Sequence, residues 1–381
     1  MNGSYSSLKD FLRSLYAAAL AGADPALAVT HALRLDRVEQ ALRSARRLGV
    51  FAVGKAAGPM LEAAPAGDAL AILPEGYSPP RGKESEVRFA SHPWPDRRSV
   101  AAARRALSFF RRFEKPDVIL CLISGGASSL LCLPRAGLTL AGKRGAIRKL
   151  MSAGASIVEI NRARKRLSAI KGGKLGRATR ARLITLVLSD VPGDDPELVG
   201  SGPTVRRRAG DMTIVVGSNR SGLAAAAAQA ARRGRTARLR ARRLDGEASE
   251  TGRRFALEAL RLPPGGVLLA GGETTVRLSG RAGIGGRNLE FALGAARVLD
   301  GGGEIAILAA GSDGIDGSSR AAGAVADGAS IARARAAGLD PDEALARHDT
   351  EPFFEVLGDL VAPGATGTNV GDWAFAVRHE A

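Results

Sequence analysis

The stretch Val50-Phe51-Ala52-Val53-Gly54-Lys55-Ala56-Ala57-Gly58 decides the fold class. Four apolar residues without alternation read as a strand buried on both faces, as in a parallel sheet. Gly54 opens that strand into a helix, the junction at which open α/β sheets bind ligands. Lys55 stands at the turn, placed to meet a phosphate or carboxylate. The same pattern recurs down the chain. Asp117 to Ile123 runs into Ser124-Gly125-Gly126-Ala127-Ser128-Ser129, where hydroxyls and bare N–H groups can line an anion nest. Leu183 to Leu188 delivers Ser189-Asp190-Val191-Pro192-Gly193-Asp194-Asp195-Pro196. Carboxylates after a strand end hold Mg²⁺ through one or two oxygens, so Asp190 and Asp194 are candidate ligands. The alternative for Asp190 is an Asx-type turn that only caps backbone N–H groups.

The second half repeats the theme. Gly271-Gly272-Glu273-Thr274-Thr275-Val276-Arg277-Leu278 leads on to Gly283-Ile284-Gly285-Gly286-Arg287-Asn288-Leu289-Glu290. It reads as a buried strand (Val267 to Ala270), a short alternating strand, a glycine loop and a helix. Gly285 and Gly286 permit unusual backbone angles, and the helix start adds its positive end, so the loop is expected to hold an anion. Thr213 to Val216 leads to Gly217-Ser218-Asn219, and Glu304 to Leu308 leads to a glycine turn carrying Asp313 and Asp316. A last loop, Gly364-Ala365-Thr366-Gly367-Thr368-Asn369-Val370, precedes a strand from Trp373 to Val377.

A chain of 381 residues suggests two domains. The strand pattern places their boundary near Asp211, giving 1–212 and 213–381. The formal charge of +17 raises nucleic acid as a partner. Yet the arginines are scattered, and aromatic residues for stacking make up only 4%, so no specific nucleic-acid binding is expected. Cys121 and Cys132 read as free core thiols. No apolar run approaches a membrane span and the first residues lack a signal-peptide pattern, so a cytoplasmic protein is expected.

Cations and carboxylates on glycine turns suit phosphoryl transfer. There is no Walker A loop. The nearest dinucleotide fingerprint, Gly301-Gly302-Gly303-Glu304-Ile305-Ala306, precedes a strand instead of following one. His31, His92, His348 and His379 form no recognisable triad pattern.

Nine segments in order resemble the glycerate 2-kinases with a MOFRL-type C-terminal domain. They are GKAAGPM at Gly54, SHPWPDRRSV at Ser91, LISGGASSLL at Leu122, EINRARKRLSAIKGGKL at Glu159 and LSDVPGDDPELVGSGPTV at Leu188. GGETTVRL at Gly271, GGRNLEFAL at Gly285, AAGSDGIDG at Ala309 and TGTNVGD at Thr366 complete the set. The resemblance implies a Rossmann-like parallel-sheet N-terminal domain and a smaller α/β MOFRL-type C-terminal domain, with the active site in the cleft between. It implies Mg²⁺-dependent transfer from ATP to the 2-hydroxyl of D-glycerate, with Lys55 and Arg287 catalytic. The candidate substrate- and phosphate-binding set is Ser124, Gly125, Gly126, Ser128, Ser129, Lys171, Asn219, Glu273, Asn288, Thr366, Thr368 and Asn369; Asp190, Asp194 and Asp313 are the candidate metal ligands. Where the family reads TGPTGTNVND, this chain has Ala365 and Gly371. A homodimer is compatible with these features. Competing readings are an NAD(P)H-dependent hydroxypyruvate reductase and a non-enzymatic protein that binds anions or nucleic acid.

Overall fold

The computed structural model describes residues 2–206, 208–278, 282–302 and 304–380. Gly303 of the triple-glycine run therefore lies outside the described residues. Two compact units result, Asp24–Ser218 on the one hand and Met1–Ala23 with Asn219–Ala381 on the other.

The unit Asp24–Ser218 is built on strands β1 (Leu48–Val53), β2 (Asp68–Pro74), β3 (Glu86–Ala90), β4 (Val118–Ile123), β5 (Arg182–Ser189) and β6 (Met212–Ser218). They form one six-stranded sheet in the order β3-β2-β1-β4-β5-β6. Every pairing is parallel. That order, reversing between β1 and β4, is the doubly wound arrangement expected from the sequence. The central strands are continuous apolar runs, and β4 is buried throughout. Phe51, Phe109, Phe110 and Phe113 pack together under the sheet.

The second unit carries β7 (Ala237–Leu239), β8 (Val267–Gly272), β9 (Ile305–Gly311), β10 (Gly323–Asp327), β11 (Leu360–Val361) and β12 (Asp372–Arg378). Their order is β11-β10-β9-β12-β8-β7. β12 runs antiparallel between β8 and β9 and is buried up to Arg378. The last strand of the chain is thus the centre of the sheet.

Three expectations differ. The division falls after Ser218, not at residue 212, because β6 pairs with β5 from Ile184↔Met212 to Ser189↔Ser218. The first helix, Asn2–Gly22, joins the second unit: Tyr16 packs edge-on to Trp373, and its hydroxyl donates to Gly311 O at 2.6 Å. With that helix added, the units are nearly equal in length. The short alternating strand expected after Gly272 does not form; Thr275 makes a single bridge, to Glu247, with no neighbouring strand to extend it.

Candidate active site

In the unit Asp24–Ser218 the turns after β1 and β4 interlock. Gly54 has φ +128, and a Cβ there would lie 2.1 Å from Ser124 Oγ. Lys55 N donates to Gly125 O at 2.9 Å and Ala56 N to Ser124 Oγ at 3.0 Å. Gly126, at φ +82, faces both His92 and the Lys55 stem; a Cβ would meet them at 3.1 and 3.4 Å. Lys55, His92 and the Ser124–Gly126 turn are therefore one locus. Ser129 Oγ folds back to Gly126 O at 3.0 Å.

Lys171 is buried in this unit, beyond the helix Ile157–Arg166. Its Nζ donates to Ser128 O at 2.8 Å, Ser128 Oγ at 3.0 Å and Gly200 O at 3.2 Å. Burial, and then the Lys143 charge, push its ammonium well below the usual lysine range. Asp190 follows β5 directly, and the preceding Ser189 Oγ is buried with no hydrogen-bond partner. Asp194 sits in the next turn at φ +54.

In the second unit, Arg287 opens the helix Arg287–Leu299. Its Nε and Nη2 donate to Asp372 Oδ2 and Oδ1 at 2.6 and 3.0 Å, and its Nη1 to Glu273 at 2.7 Å. Asp372 is buried while Glu273 is exposed. Burial raises the Asp372 carboxyl, against the pull of Arg287. Asp372 is the residue that sequence reading missed. It stands at the start of a strand, where an acid next to Trp373 looks like an ordinary strand end.

The helix start does not wait for an outside anion, which corrects the reading of the Gly285-Gly286 loop. Asp316 already fills it, accepting from Asn288 N at 2.9 Å, Leu289 N at 2.8 Å and Asn288 Nδ2 at 3.2 Å. Nor is Gly286 there for its angles, since φ −171 is open to any residue. It is there for space: a Cβ would lie 2.3 Å from Asp316 Cγ. Burial, and then the Asp372 charge beside it, push Asp316 up to about 7, against its two backbone N–H bonds.

The last loop wraps the turn after β9. Thr366 Oγ1 donates to Ser312 O, Val370 N to Ser312 Oγ at 2.8 Å, and Thr368 Oγ1 to Ala23 O at 2.7 Å. Asn219 directs its amide to Val370 O and Asp372 O, both at 3.0 Å, so it clamps the strand that carries Asp372. Asn369 is partly buried in the same loop. Asp313, Asp372 and Asn288 converge on the bare Cα of Gly311, where a Cβ would meet each within 3.4 Å. Among the described residues no three His, Cys, Asp or Glu side chains gather at metal-ligand spacing. Asp190 and Asp194 lie in one unit and Asp313 in the other.

Two family models match the chain, a domain of unknown function, DUF4147, over residues 11–233 and the MOFRL family over residues 266–372. A Pyrococcus horikoshii protein named glycerate 2-kinase is 32% identical, with 94% of each chain covered. The chain belongs to the glycerate kinase family of DUF4147–MOFRL architecture. The crystal structure of glycerate kinase from Thermotoga maritima superposes on it with a TM-score of 0.87, at 31% identity, covering 98% of this chain and all of that one. An Agrobacterium vitis relative with a provisional hydroxypyruvate reductase name is 37% identical, over 96% of this chain and 93% of its own. Family membership accounts for the Rossmann-like sheet and the MOFRL unit together. Cys121 and Cys132 are free and buried, as expected. No helix among the described residues is long and apolar enough to cross a membrane.

Proposed function

We propose that this protein transfers the γ-phosphoryl group of ATP to the 2-hydroxyl of D-glycerate, giving 2-phosphoglycerate and ADP. Kinship to proteins named glycerate kinase supports the class of reaction. The observation that carries the mechanism is Arg287, held by a buried carboxylate yet partly open to solvent. A guanidinium fixed before reaction stabilises charge spreading over phosphoryl oxygens without reorganising. Lys55, on a turn whose backbone is locked by Ser124, is a second cation, and both are proposed to act on the transferred group. The glycerate oxygen bonds to phosphorus as the bond to the bridging oxygen of ADP breaks, and the hydroxyl proton is released. Thr366, Thr368 and Asn369 would shape the loop rather than touch phosphate, since two of their hydroxyls hold backbone carbonyls.

Mg²⁺ fits this chain as a partner of ATP. Such an ion keeps several waters and substrate phosphates as ligands and takes only one or two carboxylates from the protein. Asp190 with Asp194, beside the unpartnered Ser189 hydroxyl, would hold it, and Asp313 is the alternative in the second unit. When bound, the ion neutralises phosphate charge. If Asp190→Asn leaves the Mg²⁺ dependence of turnover unchanged, Asp190 is not a ligand.

The reductase name deserves a second reading, because the β3-β2-β1-β4-β5-β6 order also serves dinucleotide enzymes. The turn after β1 argues against it. Dinucleotide folds keep a glycine there for close approach of a pyrophosphate, whereas Gly54 packs on Ser124. Oxidation of NADH or NADPH by hydroxypyruvate would favour the reductase; ADP release with D-glycerate favours the kinase. The proposal includes a cytoplasmic setting, small-molecule partners only, and a homodimer to be checked by light scattering.

A further inference from the structure

A second group of cations lies in the unit Asp24–Ser218, on the helices Leu140–Ser152 and Ile157–Arg166 and the loop that follows. Lys143 is only 4% exposed, and its Nζ is buried beside the Cys132 thiol with no oxygen partner. Arg164 is partly buried, and among the described residues its guanidinium makes neither hydrogen bond nor ion pair. Lys171 bonds only neutral oxygens. All three lie within electrostatic reach of the buried Cys132 thiol. No carboxylate pairs with any of them among the described residues.

Such a cluster is costly. A buried cation without a counter-ion loses hydration, and at Lys143 no protein oxygen replaces it. Fold stability does not ask for it here, because the two helices meet over a small apolar contact of Ile147, Ile160 and Ala163. Lys143 and Arg164 each stand four residues from a member of that contact, so they share its inward face. Hydroxyls converge on the same place. Ser128 Oγ lies 3.3 Å from Ser201 Oγ, which donates to Asn161 Oδ1 at 2.7 Å. Ser201 takes φ +63 between Gly200 and Gly202, both also left-handed. A non-glycine residue held there is strained, and strain of this kind persists where a loop is shaped for a ligand.

We propose that Lys143, Arg164 and Lys171, with the Ser128 and Ser201 hydroxyls, form a binding site for a small oxyanion: the carboxylate of the hydroxy-acid substrate or a phosphoryl group. This rests on the kinase reading for the identity of the substrate, and on the geometry alone for the anion. A planar guanidinium and two amines match the oxygens of either group. Binding would supply the counter-charge the cluster lacks.

Titration of the full chain with inorganic phosphate, and separately with D-glycerate, at ionic strength matched with chloride, tests it by calorimetry and thermal shift. Saturable binding of either anion is expected, weakened at least about tenfold in Lys143→Met and in Arg164→Met. Both variants should match or exceed the wild-type melting temperature without anion, since each removes an uncompensated charge. Tighter binding of phosphate assigns the phosphoryl group, and tighter binding of D-glycerate the carboxylate. Failure of both anions to bind beyond chloride, or unchanged affinity in both variants, overturns the site. Should Lys143→Met not fold, Arg164→Met, at a more exposed position, decides. ADP release separates the two readings. An active enzyme whose variants keep the wild-type KM for D-glycerate and affinity for phosphate loses this site but not the kinase function. A wild type that binds an anion yet makes no ADP keeps the site and loses the kinase.

Discussion

Asp372 grips Arg287 with both carboxylate oxygens, Oδ2 on Nε at 2.6 Å and Oδ1 on Nη2 at 3.0 Å. The carboxylate is buried and sits at the start of the central strand of its sheet. Asn219 fixes the backbone on either side of it. The fork of Arg287 is therefore aimed before any substrate arrives. Asp372→Asn keeps the shape and removes the charge, and should lower kcat about 10- to 100-fold through misplacement of the guanidinium. Steady-state kinetics check it, and Asp372→Glu should restore part of the loss. A merely structural role would instead lower the melting temperature and leave kcat per folded molecule intact.

Arg287 itself should matter more. A cation on the transferred group supplies roughly 10³-fold in rate, so Arg287→Ala should add about 4 kcal/mol to the barrier. Arg287→Lys keeps the charge but loses the planar fork and should recover only part of it. Near-normal kcat in folded Arg287→Ala would remove the residue from the mechanism. Lys55→Met, measured the same way, tests the partner cation.

Asp316 gives a pH signature. Its carboxyl is raised to about 7 in the folded chain, above its value when unfolded. Between about pH 4 and 7 the folded state then binds the extra proton, so stability is highest below that window and falls as pH rises through it. Asp316→Asn should flatten this slope in denaturant unfolding measured across those pH values. A slope that persists in the variant would place the titration elsewhere.

Gly54→Ala tests the interlock of the two turns. The new Cβ would meet Ser124 Oγ at 2.1 Å in a backbone conformation that side chains avoid. A loss of about 2 kcal/mol or more in unfolding free energy is expected, with lower activity. Ser124→Ala removes only the bond to Ala56 N and should cost about 1 kcal/mol.

The parallel sheet was legible because its central strands are unbroken apolar runs opening into polar or glycine turns, a signal carried within each segment. β1, β4 and β5 of that sheet stand where those runs lie, as do β8 and β9 of the second sheet. β7, of three residues, and β10 (Gly323–Asp327), mostly glycine and alanine, gave too little contrast to read as strands. The membership of the first helix was not legible, because its partners Gly311 and Trp373 lie some 300 residues away. The same holds for the site. Lys55 and Arg287 could be proposed from their local turns, but Asp372 and Asp316 make their contacts across 85 and 28 positions. The anion expected at the second helix start turned out to be the protein's own carboxylate. Local sequence shows that such a start wants a negative charge, not who provides it.

Phosphorus NMR of the products formed from ATP, Mg²⁺ and D-glycerate tests the central claim most directly. Transfer to the 2-hydroxyl leaves phosphorus next to a carbon bearing one hydrogen, so a new phosphate-ester doublet should grow in step with ADP. A triplet, from a carbon bearing two hydrogens, would mean transfer to the 3-hydroxyl. No ester resonance at all, with ATP intact, would contradict the kinase account itself.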